Sequence, residues 1–239
     1  MASKLGAVAL AALAAFYLMN TLPALAATPA APEKPRGPVK ATAPSTPSKS
    51  APVAAKADLV TPTDQVRGTV SELTTILKNP ALKGETKKKE RRELLRKPLY
   101  ARFDFTEMAR RSLGAEWRNR SPKEQDEFTQ LFTDLLERAY IEQIESYTNE
   151  KFVYGKEAVD GDYAEVQSKI LTAKGEEYAL NYRLRQAGKE WKIYDVVVEN
   201  ISIVNNYRSQ FNRIIANQSY DELIRRLRDK QIQTAVEKR

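Results

Sequence analysis

Read only for the spacing of its apolar positions, the chain changes rhythm twice. From residue 64 to about 147 the spacing is helical. Val66, Val70, Leu73 and Leu77 recur at intervals of four, three and four, the mark of one buried helical stripe. Thr63 or Asp64 can cap this helix, and Asn79-Pro80 ends it. A strongly basic helix follows in "TKKKERRELLRKPLY". A short one comes next in "DFTEMARRSLG", which Asp104 can cap and Gly114 can close. The clearest start is "SPKE", with Ser121 at the N-cap, Pro122 at the first helical position and Glu124 completing a capping box. That helix carries Phe128, Leu131, Phe132, Leu135, Leu136, Ala139 and Tyr140 on one broad stripe, with Ile144 and Tyr147 beyond.

From Lys151 the period becomes two. "KFVYGKEAV" and "YAEVQSKIL" flank Asp160-Gly161, a strong hairpin signal. "EYALNYRLRQ" follows a turn at Lys174-Gly175, and "EWKIYDVVVENISIV" follows one at Gly188. In the third run Tyr178, Leu180, Tyr182 and Leu184 alternate with Ala179, Asn181, Arg183 and Arg185, so one face is apolar and the other polar. After Val204 the helical period returns through Tyr207, Phe211, Ile214 and Ile215, and Ser219 with Glu222 opens a last helix. The pattern predicts an α+β fold. A four-stranded antiparallel meander is wrapped by N-terminal and C-terminal helices.

The ends of the chain have other compositions. Residues 1–27 carry Lys4, an apolar run from Leu5 to Met19 and the small-x-small triplet Ala24-Leu25-Ala26. They read as a signal peptide cleaved near Ala26/Ala27, with an uncleaved N-terminal anchor as the rival reading. No Cys follows the run, which excludes a lipoprotein anchor. Residues 28–62 hold eight of the twelve prolines among Ala, Ser and Lys. They read as a disordered Pro/Ala-rich tether, leaving 63–235 as the folded domain, with a charged tail that frays.

Composition narrows the chemistry. The chain has no His and no Cys. A Ser-His-Asp triad, a Cys-His pair and the common zinc sites are therefore out of reach, and so is any disulfide. Paired carboxylates remain possible, with Asp104, Asp195 and Glu199 beside apolar runs. Asp104 reads more simply as a helix cap, and the other two as exposed or ion-paired. The formal net charge is +8, which suits an anionic partner or serves solubility alone. Export argues against nucleic acid. The basic run from Lys87 to Lys97 reads first as a solvated face and second as a docking surface for an acidic partner or anionic headgroups. Tyrosines on the strands and helices fit a cavity with a wet mouth, because tyrosine joins an apolar body to a polar tip.

Two stretches carry a resemblance: "FDFTEMARRSLGAEWRNRSPKEQDEFTQLFTDLLERAYIEQIESY" and "WKIYDVVVENISIVNNYRSQFNRII". Phe103 to Phe105, Leu113-Gly114 with Trp117, Ser121-Pro122, Tyr194-Asp195 and the run Asn206 to Phe211 stand in the order of the MlaC family, also called toluene-tolerance auxiliary proteins. The likeness spans about residues 64–230, and the long Pro/Ala tether departs from it. The resemblance implies a soluble, monomeric periplasmic carrier of glycerophospholipids in Gram-negative bacteria. Such a carrier exchanges lipid with an outer-membrane lipoprotein complex and an inner-membrane MCE-domain/ABC transporter complex. It performs no chemistry and needs no cofactor.

The resemblance further implies that the helices wrap the sheet around an apolar cavity, in which acyl chains contact the apolar strand faces and the inward helical stripes. The candidates are Leu73 on the first helix and Phe132, Leu135, Leu136 and Tyr140 on the long one. The strands add Val166 and Ile170, then Tyr178, Leu180, Tyr182 and Leu184, then Tyr194, Val196 and Val198. Tyr207 and Phe211 follow on the next helix. Tyr207 and Arg208 either sit near the headgroup or clamp helix to sheet, Asn206 can cap that helix, and Arg208 can reach a carboxylate. Alternatives are a hopanoid-like cargo, a module that docks through its basic helix without binding lipid, and a carboxylate hydrolase.

Overall fold

In the computed structural model, residues 60–230 and residue 232 are described. The segments read above as signal peptide and tether, but for residues 60–62 of the latter, and the tail beyond Ile232 lie outside them. Among the described residues, six helices and five strands form the α+β fold. Helix α1 (Pro62–Lys78) is capped by Thr61, two residues earlier than the pattern suggested, because Pro62 takes the first helical position. Two 3-10 turns lead to α2 (Lys88–Arg102) and then α3 (Phe105–Leu113), where Asp104 accepts from Glu107 N at 2.9 Å. Helix α4 (Pro122–Glu145) opens with the full Ser121/Glu124 capping box. After the sheet come α5 (Ile203–Asn217) and α6 (Tyr220–Arg228), the latter capped by Ser219. No helix among the described residues is long and apolar enough to cross a membrane.

The sheet is an antiparallel meander in the order β1 (Lys151–Asp160), β2 (Tyr163–Leu171), β3 (Glu177–Ala187), β4 (Glu190–Val198), β5 (Ile201–Ser202). The expected four strands are therefore five. The last apolar run does not continue straight through to Val204. Glu199 and Asn200 take positive φ angles of 47° and 67°, folding the chain back so that Ile201 and Ser202 pair with Val198 and Val197. Ser202, not Asn206, then caps α5, accepting from Asn205 N at 3.0 Å. Asn206 lies within the helix and accepts from Gln210.

A bulge in β4 decides what this strand presents. Arg183 faces Asp195 while Leu184 faces Ile193, so Tyr194 is the extra residue. An extra residue shifts the two-residue alternation by one step. Ile193 and Val196, which plain alternation would set on opposite faces, therefore line the same cavity.

Two apolar cores result. One lies among the helices, where Phe128, Phe132, Leu135, Phe211 and Leu223 are fully buried. Its rings pack edge-on, with Phe132 at 5.4 Å from Tyr207 and 5.6 Å from Phe211, both at 81°, the geometry that aromatic quadrupoles favour. The other lies under α1 on one face of the sheet, around Val66, Val166, Leu184, Trp191 and Ile193.

Candidate functional site

Between α1, the sheet and the C-terminal half of α4 the packing stops short of filling space. A cavity of about 190 Å³, partly open to solvent, remains there. Its construction follows from the helical stripes. Val66, Val70, Leu73 and Leu77 of α1 form one wall. Leu136, Tyr140 and Ile144, four residues apart on α4, form the roof. Leu180 and Tyr182 of β3, with Ile193, Val196 and Val198 of β4, form the floor, and Ile203 closes the end. Helix α4 packs against α3 and α6 rather than down onto the sheet, which keeps the roof raised.

The corner between α2 and α3 adds Leu99, Tyr100, Phe103 and Phe105. It is pinned in place by Asp104 N donating to Ile193 O at 2.8 Å and by the Arg185 guanidinium on the Asp104 carboxylate. Polar groups gather at the edge. Arg96 pairs with Glu137 at 2.5 Å, and both line the cavity. The Gln143 side-chain oxygen is buried beside it with no hydrogen-bond partner among the described residues. Burial pushes the Tyr140 phenol up to about 12, with Tyr207 pulling the other way, and burial likewise raises Tyr182. Both phenols stay neutral near pH 7, as an apolar enclosure requires.

Of the sixteen residues picked from the sequence, seven line this cavity: Leu73, Leu136, Tyr140, Leu180, Tyr182, Val196 and Val198. Val166, Ile170 and Leu184 lie in the filled part of the sheet core, with Tyr178 packed against it. Phe132, Leu135, Tyr207 and Phe211 belong to the helical core. Tyr194 faces the other side of β4, under Arg111 at 4.1 Å. The sequence reading missed Leu99, Tyr100, Phe103, Ile193 and Phe152. The available signal was "FDF", whose alternation sends Phe103 and Phe105 to the same side of the short link between α2 and α3.

The carboxylates weighed for catalysis are bonded within the fold. Asp195, 2% exposed, accepts from Ser202 Oγ at 2.6 Å, Val204 N at 3.1 Å and Arg183 at 3.2 Å. It thus joins the end of β4 to the first turn of α5. Glu199 accepts from the backbone N–H of Ala179. Of the seven cations from Lys87 to Lys97, five are ion-paired: Lys87, Lys88, Arg91, Arg92 and Arg96. Arg91 and Arg92 both grip Glu145 of α4 at 2.7 Å, so much of this basic face ties α2 to α4.

The family model for MlaC protein matches residues 67–229. The chain belongs to the MlaC family. Among relatives, it is 25% identical over 150 residues to the "intermembrane phospholipid transport system binding protein MlaC" of Haemophilus influenzae, covering 61% of this chain and 70% of that one. It is 28% identical over 153 residues to "toluene tolerance protein ttg2D" of Pseudomonas putida, covering 63% and 71%. In structure it resembles a phospholipid-binding protein of Ralstonia solanacearum solved in complex with a phospholipid. The TM-score is 0.63 and the identity 26%, over 72% of this chain and 97% of that one. The matched MlaC region runs from the second turn of α1 to the end of α6, and so takes in the residues that line the cavity except Val66.

Proposed function

We propose that this protein binds glycerophospholipid acyl chains in the cavity and carries lipid across the periplasm. Its partners on this reading are an outer-membrane lipoprotein complex and an inner-membrane MCE-domain/ABC transporter complex. The observation that carries the proposal is the unfilled, carbon-lined space between α1, α4 and the sheet. Protein interiors are normally packed to crystal density. A void walled by leucines, valines and aromatic rings offers water too few partners, while an acyl chain restores the missing contacts. Burying one CH₂ is favourable by about 0.8 kcal/mol, so a chain of some fourteen groups gains roughly 11 kcal/mol before the costs of association. The mixed edge formed by Arg96, Glu137 and Gln143 suits a glycerol backbone or headgroup left near water. The names of the Haemophilus and Ralstonia relatives support the same cargo class. The reading involves no covalent chemistry and no cofactor.

The test is native mass spectrometry of residues 28–239, exported to a bacterial periplasm and purified without detergent. Mass steps of phospholipid size, lost on denaturation, are expected. A clean apo mass that persists after incubation with phospholipid vesicles would overturn the proposal.

A further inference from the structure

Behind the strand that floors the cavity lies a second concavity of opposite character. Neighbouring residues divide between the two. Ile193 and Ile203 face the apolar space, whereas Tyr194 and Val204 face this one. Its polar wall is made of arginines: Arg110 and Arg111 at the end of α3, Arg118 in the following turn, Arg183 on β3 and Arg208 on α5. The carboxylates bound to them are fewer. Glu107 holds Arg110 and Arg111, each at 2.6 Å. Asp195 and Glu165 hold Arg183 at 3.2 and 3.5 Å. Asp195, the one carboxylate in the wall itself, is already bonded to Ser202, Val204 and Arg183.

Arg118 and Arg208 make no ion pair among the described residues. Arg208 packs against the backbone instead. It lies across Gly114, where a Cβ would come within 3.0 Å of its Nε, and that glycine holds a φ of 66°. Arg111 is likewise stacked on the Tyr194 ring.

We propose that this pocket binds a phosphate group. Guanidinium forks donate pairs of N–H groups in the plane that phosphate oxygens accept, and several forks can share one tetrahedral anion. A concave wall with more cations than acids focuses the field on such a group. The phosphate is either free inorganic phosphate or the headgroup phosphate of a lipid in a membrane surface. The site is separate from the acyl-chain cavity and stands whether or not that cavity carries lipid.

The test uses the full folded chain and two probes. Inorganic phosphate is titrated calorimetrically at constant ionic strength, with chloride as the control. Vesicles of phosphatidylglycerol are used in co-sedimentation. Wild type is expected to bind phosphate in preference to chloride, and Arg118→Gln/Arg208→Gln to bind it roughly tenfold more weakly. Lipid mass steps and circular dichroism should be unchanged. Arg118→Lys/Arg208→Lys keeps the charge but removes the forks, and should also bind weakly; if the glutamine variant misfolds, this one decides. Vesicle binding lost in the same variants and competed by phosphate assigns the headgroup as source. Phosphate binding without vesicle binding assigns the free anion. No preference for phosphate over chloride in wild type, or equal affinity in the variants, overturns the proposal.

Discussion

The two apolar cores are built from the same kinds of side chain and differ in what they leave empty. Around Phe132 the rings of Phe128, Tyr207 and Phe211 meet at 5.4 to 5.9 Å, and the neighbouring leucines are fully buried. Between α1 and β4, equally apolar stripes face each other across open space. Composition does not separate the two regions. The separation comes from how the helices are held. In the first, α4 lies directly on α3 and α6. In the second, α4 overhangs the sheet, and its C-terminal half is tied by ion pairs to α2 instead. A filled core gives the fold its rigidity, and an unfilled one gives it a place for a guest.

Mutations should break this contrast in graded steps. Phe132→Ala removes the centre of the filled core and should cost about 3–5 kcal/mol of stability, read from urea unfolding. If it cost less than about 1 kcal/mol, the core would not be solid. Glu107→Gln comes next. Burial pushes that carboxyl upward, but the forks of Arg110 and Arg111 pull it below the usual value of 4.5. A depressed carboxyl adds stability above its unfolded pKa and loses it as pH falls. The variant should therefore lose about 1–3 kcal/mol at pH 7 and much less at pH 3. An equal loss at both would refute the pairing.

Val196→Trp fills the empty region. It should change stability by only about 1 kcal/mol, where Leu135→Trp in the filled core should cost more. It should also abolish lipid mass steps. Full lipid occupancy in Val196→Trp would place the cargo elsewhere. The smallest effect is expected from Tyr140→Phe, which keeps the ring and should alter stability by about 1 kcal/mol or less. A large loss would mean that the buried hydroxyl, which meets Tyr207, matters more than the ring.

The sequence disclosed the helical caps, the meander and the α1 stripe, because each depends on neighbours along the chain. Ser121 with Glu124, and Val66 with Leu73, need no tertiary partner to be recognised. It could not say which apolar residues face a void. Leu135 and Leu136 are adjacent and chemically identical, yet only Leu136 reaches the cavity. That choice depends on how α4 is turned about its axis, since adjacent helical residues point about 100° apart; the turn is held by packing on α3 and α6 and by Arg91, Arg92 and Arg96 meeting Glu137 and Glu145. The split of "VVVENISIV" into two strands was hidden for a similar reason. Glu199 and Asn200 adopt positive φ to bring Ser202 back to Asp195, a long-range demand rather than a local preference.

The bulge at Tyr194 has a further meaning for how such a chain can diverge. Substitutions along β4 alter one wall or the other and leave the two apart. Removing a single residue between Ile193 and Val196 would do something different. Plain alternation would then keep Ile193 and Val196 on the cavity side, and the charged side would lose one of the two neighbours, Tyr194 and Asp195, that the bulge sets there together. The surplus residue thus widens the charged side by one position and costs the cavity side none.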